Sequence, residues 1–437
     1  MPILRIRENF VSSIHGLNSI RNYEEKWKVQ LLNCLENKTE FKIKCDKIDK
    51  DIHCIELRKI DGDLSLDTSY LIGLDYLAKD FPFIVEPKFD DSQGEFSIDF
   101  YDILFKGLPY VKTNEDISDL YFIDFSKPTI EINQHDDFLT PILVIQFITY
   151  LNKICHSGLQ KGYYWVEQNL DNKVKGKILV KNTIKYNHLK SKYTKTYCRY
   201  QEFGINTQEN QFLKFTFQFC LNYLSQFKKL KMIDNLEGKV GYIRTSLENV
   251  QVDTTFGKEM GVRKNPLFPL YESALKLANL ILKRSAFNIT NTTKNTVSTY
   301  PYWINMSKLF EIHVLRLLRT TFREGIYFQK EYGGRIPDII INRSDIKAIV
   351  DVKYKPYAMK EIEIEDIRQV AAYARMKLIF KDLDLTQNSV LDSIIVYPKV
   401  NSKNFDLNQN TLDKKEELGN YFNIYKLDIS IPILNKR

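Results

Sequence analysis

No two of the six cysteines (Cys34, Cys45, Cys54, Cys155, Cys198 and Cys220) form a CxxC pair, and no zinc site is readable. In a chain of 437 residues, that scatter points to reduced, mostly buried thiols and a cytoplasmic address, not a disulfide scaffold. Long apolar runs are also missing. The longest, from Leu139 to Asn152, falls short of the ~20 residues that a helix needs to cross a bilayer. The opening MPILRIRENF has no apolar core of signal-peptide type. There is no GxxxxGK(S/T) loop, since Gly257 to Gly261 is followed by Val262 and Arg263, and no internal repeat. The chain is therefore not expected to hydrolyse a nucleoside triphosphate on a P-loop of its own.

What is present is a folding composition, with 43% hydrophobic and 27% charged residues, which excludes wholesale disorder. At ~150 residues per domain the length suggests two to three domains. The net charge of +8 is concentrated. Residues 160–200 hold ten Lys or Arg against Glu167 and Asp171, whereas residues 84–125 hold ten Asp or Glu against Lys88, Lys106 and Lys112. Tyr163, Tyr164, Trp165, Tyr186, Tyr193 and Tyr197 interleave the basic segment. Such a mixture suits phosphate contact with base or sugar stacking, and it also suits a plain solvated surface.

The pattern predicts an α+β multidomain chain. Residues 1–135 read as a β-rich domain, an antiparallel barrel or sandwich, from runs such as FKIKC (41–45), HCIEL (53–57), SYLIGL (69–74), FIVEPKF (83–89), FSIDFYDILF (96–105) and LYFIDF (120–125). Residues 136–286 read as a helical middle domain, with Leu143, Gln146, Phe147 and Tyr150 on one face and further helical periods over 208–235 and 266–285. The basic 160–200 segment inside it reads as strands and loops. Residues 287–300, rich in Asn, Thr and Ser, read as a linker. Residues 301–437 form the last domain.

That last domain carries the chemistry. MSKLFEIHVLRLLRTTF (306–322) is an amphipathic helix with Leu309, Phe310, His313, Val314, Leu317 and Leu318 on one face. IYFQKEY (326–332), a Gly333-Gly334 break, RIPDIIIN (335–342) and IKAIVDVKY (346–354) follow as a three-stranded meander. Strand alternation puts Asp351 and Lys353 on one face, and a turn at 342–345 brings Asp338 near them. Two carboxylates and a lysine on Ile/Val-rich strands make poor core residues unless a divalent cation compensates them. Hydrolysis of a phosphodiester uses such a group: Asp338 and Asp351 as Mg²⁺ ligands, the Val352 carbonyl as a third, and Lys353 to orient or deprotonate the attacking water. The bland alternative is an exposed Asp–Lys pair on a strand edge. EIEIEDIRQVAAYARMKLIF (361–380) is a helix with Gln369 and Tyr373 one turn apart, and SVLDSIIVYPKV (389–400) is a further strand. Glu361, Glu363 and Glu365 read as a solvated acidic helix start.

The order helix, three strands with Asp and Asp-x-Lys, helix with Gln-x-x-x-Tyr, strand resembles the PD-(D/E)XK restriction-endonuclease-like core. With the upstream residues, the chain resembles the McrC family, the nuclease subunit of McrBC-type, 5-methylcytosine-specific restriction systems. Leu309-Phe310-Glu311 is similar to the family's "LFE" step. Pro337-Asp338, Asp351-Val352-Lys353-Tyr354 and Gln369-x-x-x-Tyr373 are similar to its "RPD", "DAKY" and "YQ…Y" signatures. Ile336 stands where Arg is usual, and Arg368 where an aromatic is usual; neither touches a metal ligand. Val174-Lys175-Gly176-Lys177-Ile178, the stretch Asn206 to Lys214, Tyr70-Leu71-Ile72-Gly73 and Glu86-Pro87-Lys88 resemble "lrGri", "dt..NrilK" and "yVGvi…lPK".

The resemblance implies a Mg²⁺-dependent (or Mn²⁺-dependent) endonuclease subunit. It would cut double-stranded, methylated DNA together with a separate McrB-like AAA+ GTPase, whose GTP hydrolysis it stimulates. Asp338, Asp351, Lys353, Glu311 and Gln369 would be catalytic, with Asp338, Asp351 and Val352 holding metal. Lys175, Lys177, Lys181 and Tyr373 are candidates for DNA contact, the lysines equally for contact with the partner. Glu311 reads alternatively as a residue pairing with a neighbouring Arg, and Asn210 as a helix cap. Two other functions fit the sequence less well: a non-cleaving regulator of the GTPase, and a stand-alone DNA nuclease. His53-Cys54 and Cys155-His156 read as ordinary core or surface residues.

Overall fold

The computed structural model describes residues 3–7, 40–44, 53–60, 63–78, 81–87, 96–98, 100–107, 110–111, 119–133, 137–225, 234–252, 260–261, 266–286, 296–355, 363–386, 389, 391–400 and 415–435. Two compact units emerge. One joins Met1–Ile142 to Thr292–Arg437, and the other is Leu143–Asn291.

In the first unit, a five-stranded sheet runs in the order Leu4–Arg7, Phe81–Glu86, Leu71–Ala78, Tyr302–Asn305, Tyr121–Ile123. Leu4–Arg7 lies parallel to Phe81–Glu86, so this part of the chain is not purely antiparallel as expected. A three-stranded antiparallel sheet (Glu40–Lys44, His53–Ile60, Asp63–Thr68) shares a core with it, built from Cys54, Ile55, Leu57, Leu66, Leu71, Phe83 and Trp303 among others. Gly73 allows the tight crossing of strands here, because a Cβ at that position would lie 2.1 Å from the Tyr302 carbonyl oxygen.

Two local expectations are corrected. Residues 296–299, placed in the expected linker, form a strand that pairs with Ile130–Asn133; alternating β-branched Thr and Val suit a ladder despite their polar surroundings. The rest of that segment, 287–295, lies outside the described residues. The run at 96–105 is a strand only at Phe96–Ile98 and then a helix, Phe100–Gly107. The helix abuts Met306–Phe322 closely: a Cβ on Gly107 would sit 2.9 Å from the Ile312 side chain.

A six-stranded mixed sheet positions the candidate site. Its order is Ile326–Phe328, Ile339–Asn342, Lys347–Val352, Asp392–Val400, Ile424–Ile431, Glu416–Glu417. The first three strands form the expected antiparallel meander, and Lys347–Val352, Asp392–Val400 and Ile424–Ile431 run parallel. A parallel step needs a crossover. Here it contains the helix Ile364–Tyr373 and the short helix Lys377–Asp382, two elements where the sequence suggested one. Ile340, Ile349, Ile367, Val370, Ile379 and Ile395 form the core between these helices and the sheet.

The second unit holds the helices Gln208–Ser225, Asp234–Ser246 and Pro269–Ala286. Helix Leu139–Ser157 begins in the first unit and continues into it, with Leu143, Phe147 and Tyr150 buried. The basic segment is a long antiparallel hairpin of Gly162–Asp171 and Lys195–Gly204, with Lys177–Ile178 on its other edge and a short helix, Val180–Tyr186, between. Gly176 holds a left-handed φ of 69°, and a Cβ there would meet the Arg199 carbonyl oxygen at 2.5 Å. Asn210 is not the cap of its helix. Thr207 Oγ1 accepts from the Asn210 N–H at 3.4 Å, while the Asn210 side chain donates to the carbonyls of Gln160 and Ile205 and accepts from the Tyr271 hydroxyl at 2.7 Å.

Cys54, Cys155, Cys198 and Cys220 are buried free thiols; Cys34 and Cys45 lie outside the described residues. Among the described residues no helix is long and apolar enough to cross a membrane.

Candidate active site

The site helix Met306–Phe322 starts at Asn305, whose side chain accepts the Lys308 N–H at 3.0 Å. Its apolar face buries Leu309, Phe310, His313, Val314 and Leu317. That burial sets the rotation of the helix and brings Glu311 toward the sheet. Glu311 Oε2 accepts from Gln329 Nε2 at 2.9 Å and lies 3.5 Å from the buried Lys308 ammonium.

Pro337 lacks an N–H, and Asp338 directly precedes strand Ile339–Asn342. On the neighbouring strand, Asp351 is 1% exposed. Lys353 Nζ meets its Oδ2 at 3.0 Å, while its Oδ1 accepts no hydrogen bond among the described residues. Asp338 Oδ2 accepts the Val352 N–H at 2.7 Å, so the two acidic segments are tied through the peptide that follows Asp351. Lys353 lies one residue past the strand end, but its N–H still donates to the Val396 carbonyl at 2.8 Å. Its ammonium also donates to Gln369 Oε1 at 2.7 Å, and Gln369 Nε2 reaches the Tyr373 hydroxyl at 3.4 Å.

These contacts set the electrostatics. Burial first, then the charges of Glu311 and Asp351, pushes the Asp338 carboxyl well above the usual carboxylate range. Burial also raises Asp351, against the pull of Lys353. Glu311 is raised by burial, against the pull of Lys308 and Gln329 and with the added push of Asp351. Burial would lower Lys353, but the Asp351 carboxylate outweighs it and the ammonium stays charged. Crowded, buried carboxyls with fewer donors than they can accept are a poor way to build a core and a good way to receive a hard cation. Among the described residues, no three His, Cys, Asp or Glu side chains converge tightly enough to hold a metal alone. Two carboxylates completed by a carbonyl, water and substrate phosphate fit the arrangement better.

The structure thus gathers Asp338, Asp351, Lys353, Glu311, Gln369 and Tyr373, with Val352 buried among them. Lys175, Lys177 and Lys181 belong to the other unit. Lys175 pairs with Glu202 at 3.0 Å and stacks over the Tyr200 ring at 4.0 Å, whereas Lys177 and Lys181 are exposed. Gln329, Lys308 and Asp366 are additions that the sequence reading lacked. Lys308 was within reach of it, standing three residues before Glu311 on the same helix face. Asp366, three residues before Gln369, accepts from Lys355 at 2.9 Å and from the Tyr397 hydroxyl at 2.8 Å.

Fold and site together define a mixed α/β protein with an acidic–lysine cluster at the end of a partly parallel sheet. A family model described as McrBC 5-methylcytosine restriction system component matches residues 117–382, and the chain belongs to that family. No curated protein matches it. Among solved structures, the chain is similar to the refined half-complex from a tetradecameric assembly of Thermococcus gammatolerans McrB AAA+ hexamers with bound McrC, at 13% identity over 99% of this chain and 95% of that one, with a TM-score of 0.37. It is also similar to the cryo-EM structure of the Thermococcus gammatolerans McrBC complex, at 12% identity over 72% and 87%, with a TM-score of 0.27.

Proposed function

We propose that this restriction-system component is the subunit that cuts DNA, a PD-(D/E)XK endonuclease using Mg²⁺ and working with an AAA+ GTPase partner whose hydrolysis it stimulates. The observation that carries the nuclease half is the Asp351 carboxylate, buried beside Asp338 with Lys353 on its Oδ2 and no donor on its Oδ1 among the described residues. A surface ion pair would be hydrated, and a structural buried carboxylate would be satisfied.

In this reading Asp338, Asp351 and the Val352 carbonyl hold the cation. When bound, it supplies Lewis-acid polarisation of the scissile phosphate and a more acidic water. Lys353, kept charged by Asp351 and anchored by Gln369, donates to the attacking water and faces the charge that develops on the phosphate. Its charged state favours orienting that water over deprotonating it. Gln369 fixes the lysine's rotamer, and Tyr373 stands beside it as a DNA contact.

The partner half rests on the family resemblance and on the hairpin. The rings of exposed Tyr163 and Phe203 lie 5.2 Å apart, tilted by 57°, and the Arg199 guanidinium lies 4.7 Å over the exposed Trp165 ring. With Lys177 and Lys181 this surface suits DNA or the GTPase partner.

The test is cleavage of methylated duplex DNA with Mg²⁺, with and without a cognate GTPase and GTP, for wild type and Asp351→Ala. Cleavage that needs the partner and vanishes in the variant is expected. A variant that cuts as fast as wild type would contradict the site, and a wild type that raises GTP hydrolysis without cutting would favour a regulatory subunit.

A further inference from the structure

Gln329 stands directly after strand Ile326–Phe328 with a φ of 47°, one of few non-glycine residues in the left-handed region. Register explains what the conformation achieves. Phe328 pairs with Ile339, so Gln329 faces Asp338 across the ladder, and its N–H donates to the Asp338 carbonyl at 2.9 Å. The left-handed turn ends the strand there, and the side-chain amide donates to Glu311 Oε2 at 2.9 Å. One residue thus touches both Asp338 and Glu311. Lys308, itself buried, meets the same Oε2 from the helix side at 3.5 Å. Local strain kept at a site that needs a fixed geometry is a sign of function more than of packing.

We propose that Gln329 is a positioning residue: its left-handed backbone and its amide together set the Glu311 carboxylate beside Asp338, where it would bind a water of a cation held by Asp338 and Asp351. An outer contact agrees with the finding that the three carboxylates do not close on one point, and Mg²⁺ keeps several of its waters. The inference rests on the proposed metal site and goes beyond it, since neither motif nor spacing marks Gln329.

Two variants separate reach from backbone. Gln329→Gly adopts the same φ freely and removes the amide. Gln329→Asn also tolerates the left-handed region and keeps an amide, one methylene too short. The measurement is Mn²⁺ titration of the full chain without DNA, followed by water proton relaxation, alongside the Tm in EDTA. Both variants should weaken Mn²⁺ binding by about tenfold, the lower end of what outer-shell changes cost, with a Tm no lower than wild type for Gly. Glu311→Gln should weaken binding equally, and the Gln329→Gly/Glu311→Gln pair no further, as expected of residues acting as one unit. In cleavage by Gln329→Gly the half-saturating Mg²⁺ concentration should rise by more than the rate at saturating Mg²⁺ falls. Binding within twofold of wild type in Gln329→Gly, with Asp351→Asn abolishing it, would overturn the role of Gln329 and leave the metal site standing. A wild type that binds no Mn²⁺ would overturn both.

Discussion

The Val352 N–H donates to Asp338 Oδ2 at 2.7 Å, so the peptide that follows Asp351 fixes the other acidic side chain. Asp338 and Asp351 are thereby held as neighbours by the protein backbone itself, and both carboxyls are raised within a buried site.

That arrangement has a pH signature. The folded-state values of Asp338, Asp351 and Glu311 all lie above the ordinary carboxylate value of about 4. Their contribution to stability is therefore fully present below about pH 4 and is lost as pH rises through the folded values. In EDTA, Asp338→Asn, which keeps an acceptor for the Val352 N–H, should be more stable than wild type at pH 8 and lose that advantage at pH 4. Mg²⁺ should raise the wild-type Tm more at pH 8 than at pH 5. Thermal unfolding at the two pH values checks both statements; parallel behaviour of wild type and variant would contradict them.

Lys353→Gln should reduce cleavage by about 10²-fold or more, because one preorganised cationic donor at developing charge is worth that much. It also leaves the Asp351 carboxylate buried without its ion-pair partner. Single-turnover rates at saturating Mg²⁺ measure the effect, and a rate within threefold of wild type would remove Lys353 from the mechanism.

Asp366 gathers Lys355, 2.9 Å away, and the Tyr397 hydroxyl, 2.8 Å away, and so pins the start of helix Ile364–Tyr373 to the sheet. Asp366→Ala strands both partners and should cost about 2–3 kcal/mol in urea unfolding. Cleavage should also fall, since the same helix carries the Gln369 that steadies Lys353. Tyr397→Phe should cost less, about 1 kcal/mol, and the two effects should not add.

His313 is buried, with Nε2 3.2 Å from the Ser430 carbonyl, and burial together with Arg316 lowers its pKa to about 3. A lowered value means that its contribution is present above the unfolded value of about 6.5 and is lost as pH falls toward 3. At pH 4.5 the wild type should have lost about 2–3 kcal/mol on this account, opposing the gain from the carboxyl cluster. Urea unfolding of His313→Gln at pH 7.5 and 4.5 should show a smaller acid-side loss than in wild type.

Lys177→Glu with Lys181→Glu should weaken whatever the hairpin binds. If that is DNA, the salt dependence should flatten by about 0.9 for each phosphate that the variant no longer neutralises. Anisotropy titrations against duplex DNA and against the GTPase ring decide which; no change in either would return the hairpin to plain surface.

The acidic residues and Lys353 were legible because two-residue alternation and one hairpin turn suffice to bring them together. The helix Met306–Phe322 was legible to its ends because its apolar stripe is uninterrupted and Asn305 caps it. Gln329 was not, because its role depends on the register of Phe328 with Ile339 and on a left-handed backbone, neither of which composition reveals. The strand at 296–299 was hidden by its Asn- and Thr-rich neighbours, and Tyr302–Asn305 gave no sign that it joins Leu71–Ala78 and Tyr121–Ile123, both far earlier in the chain. Local pattern reads local contacts; long-range pairing must be seen.

The most direct test of the account is anomalous diffraction from crystals of the metal-bound chain grown with Mn²⁺. One strong peak is expected within coordination distance of both Asp338 and Asp351, absent in Asp351→Asn crystals. No peak at that cluster in a fully folded, Mn²⁺-saturated wild type would contradict it.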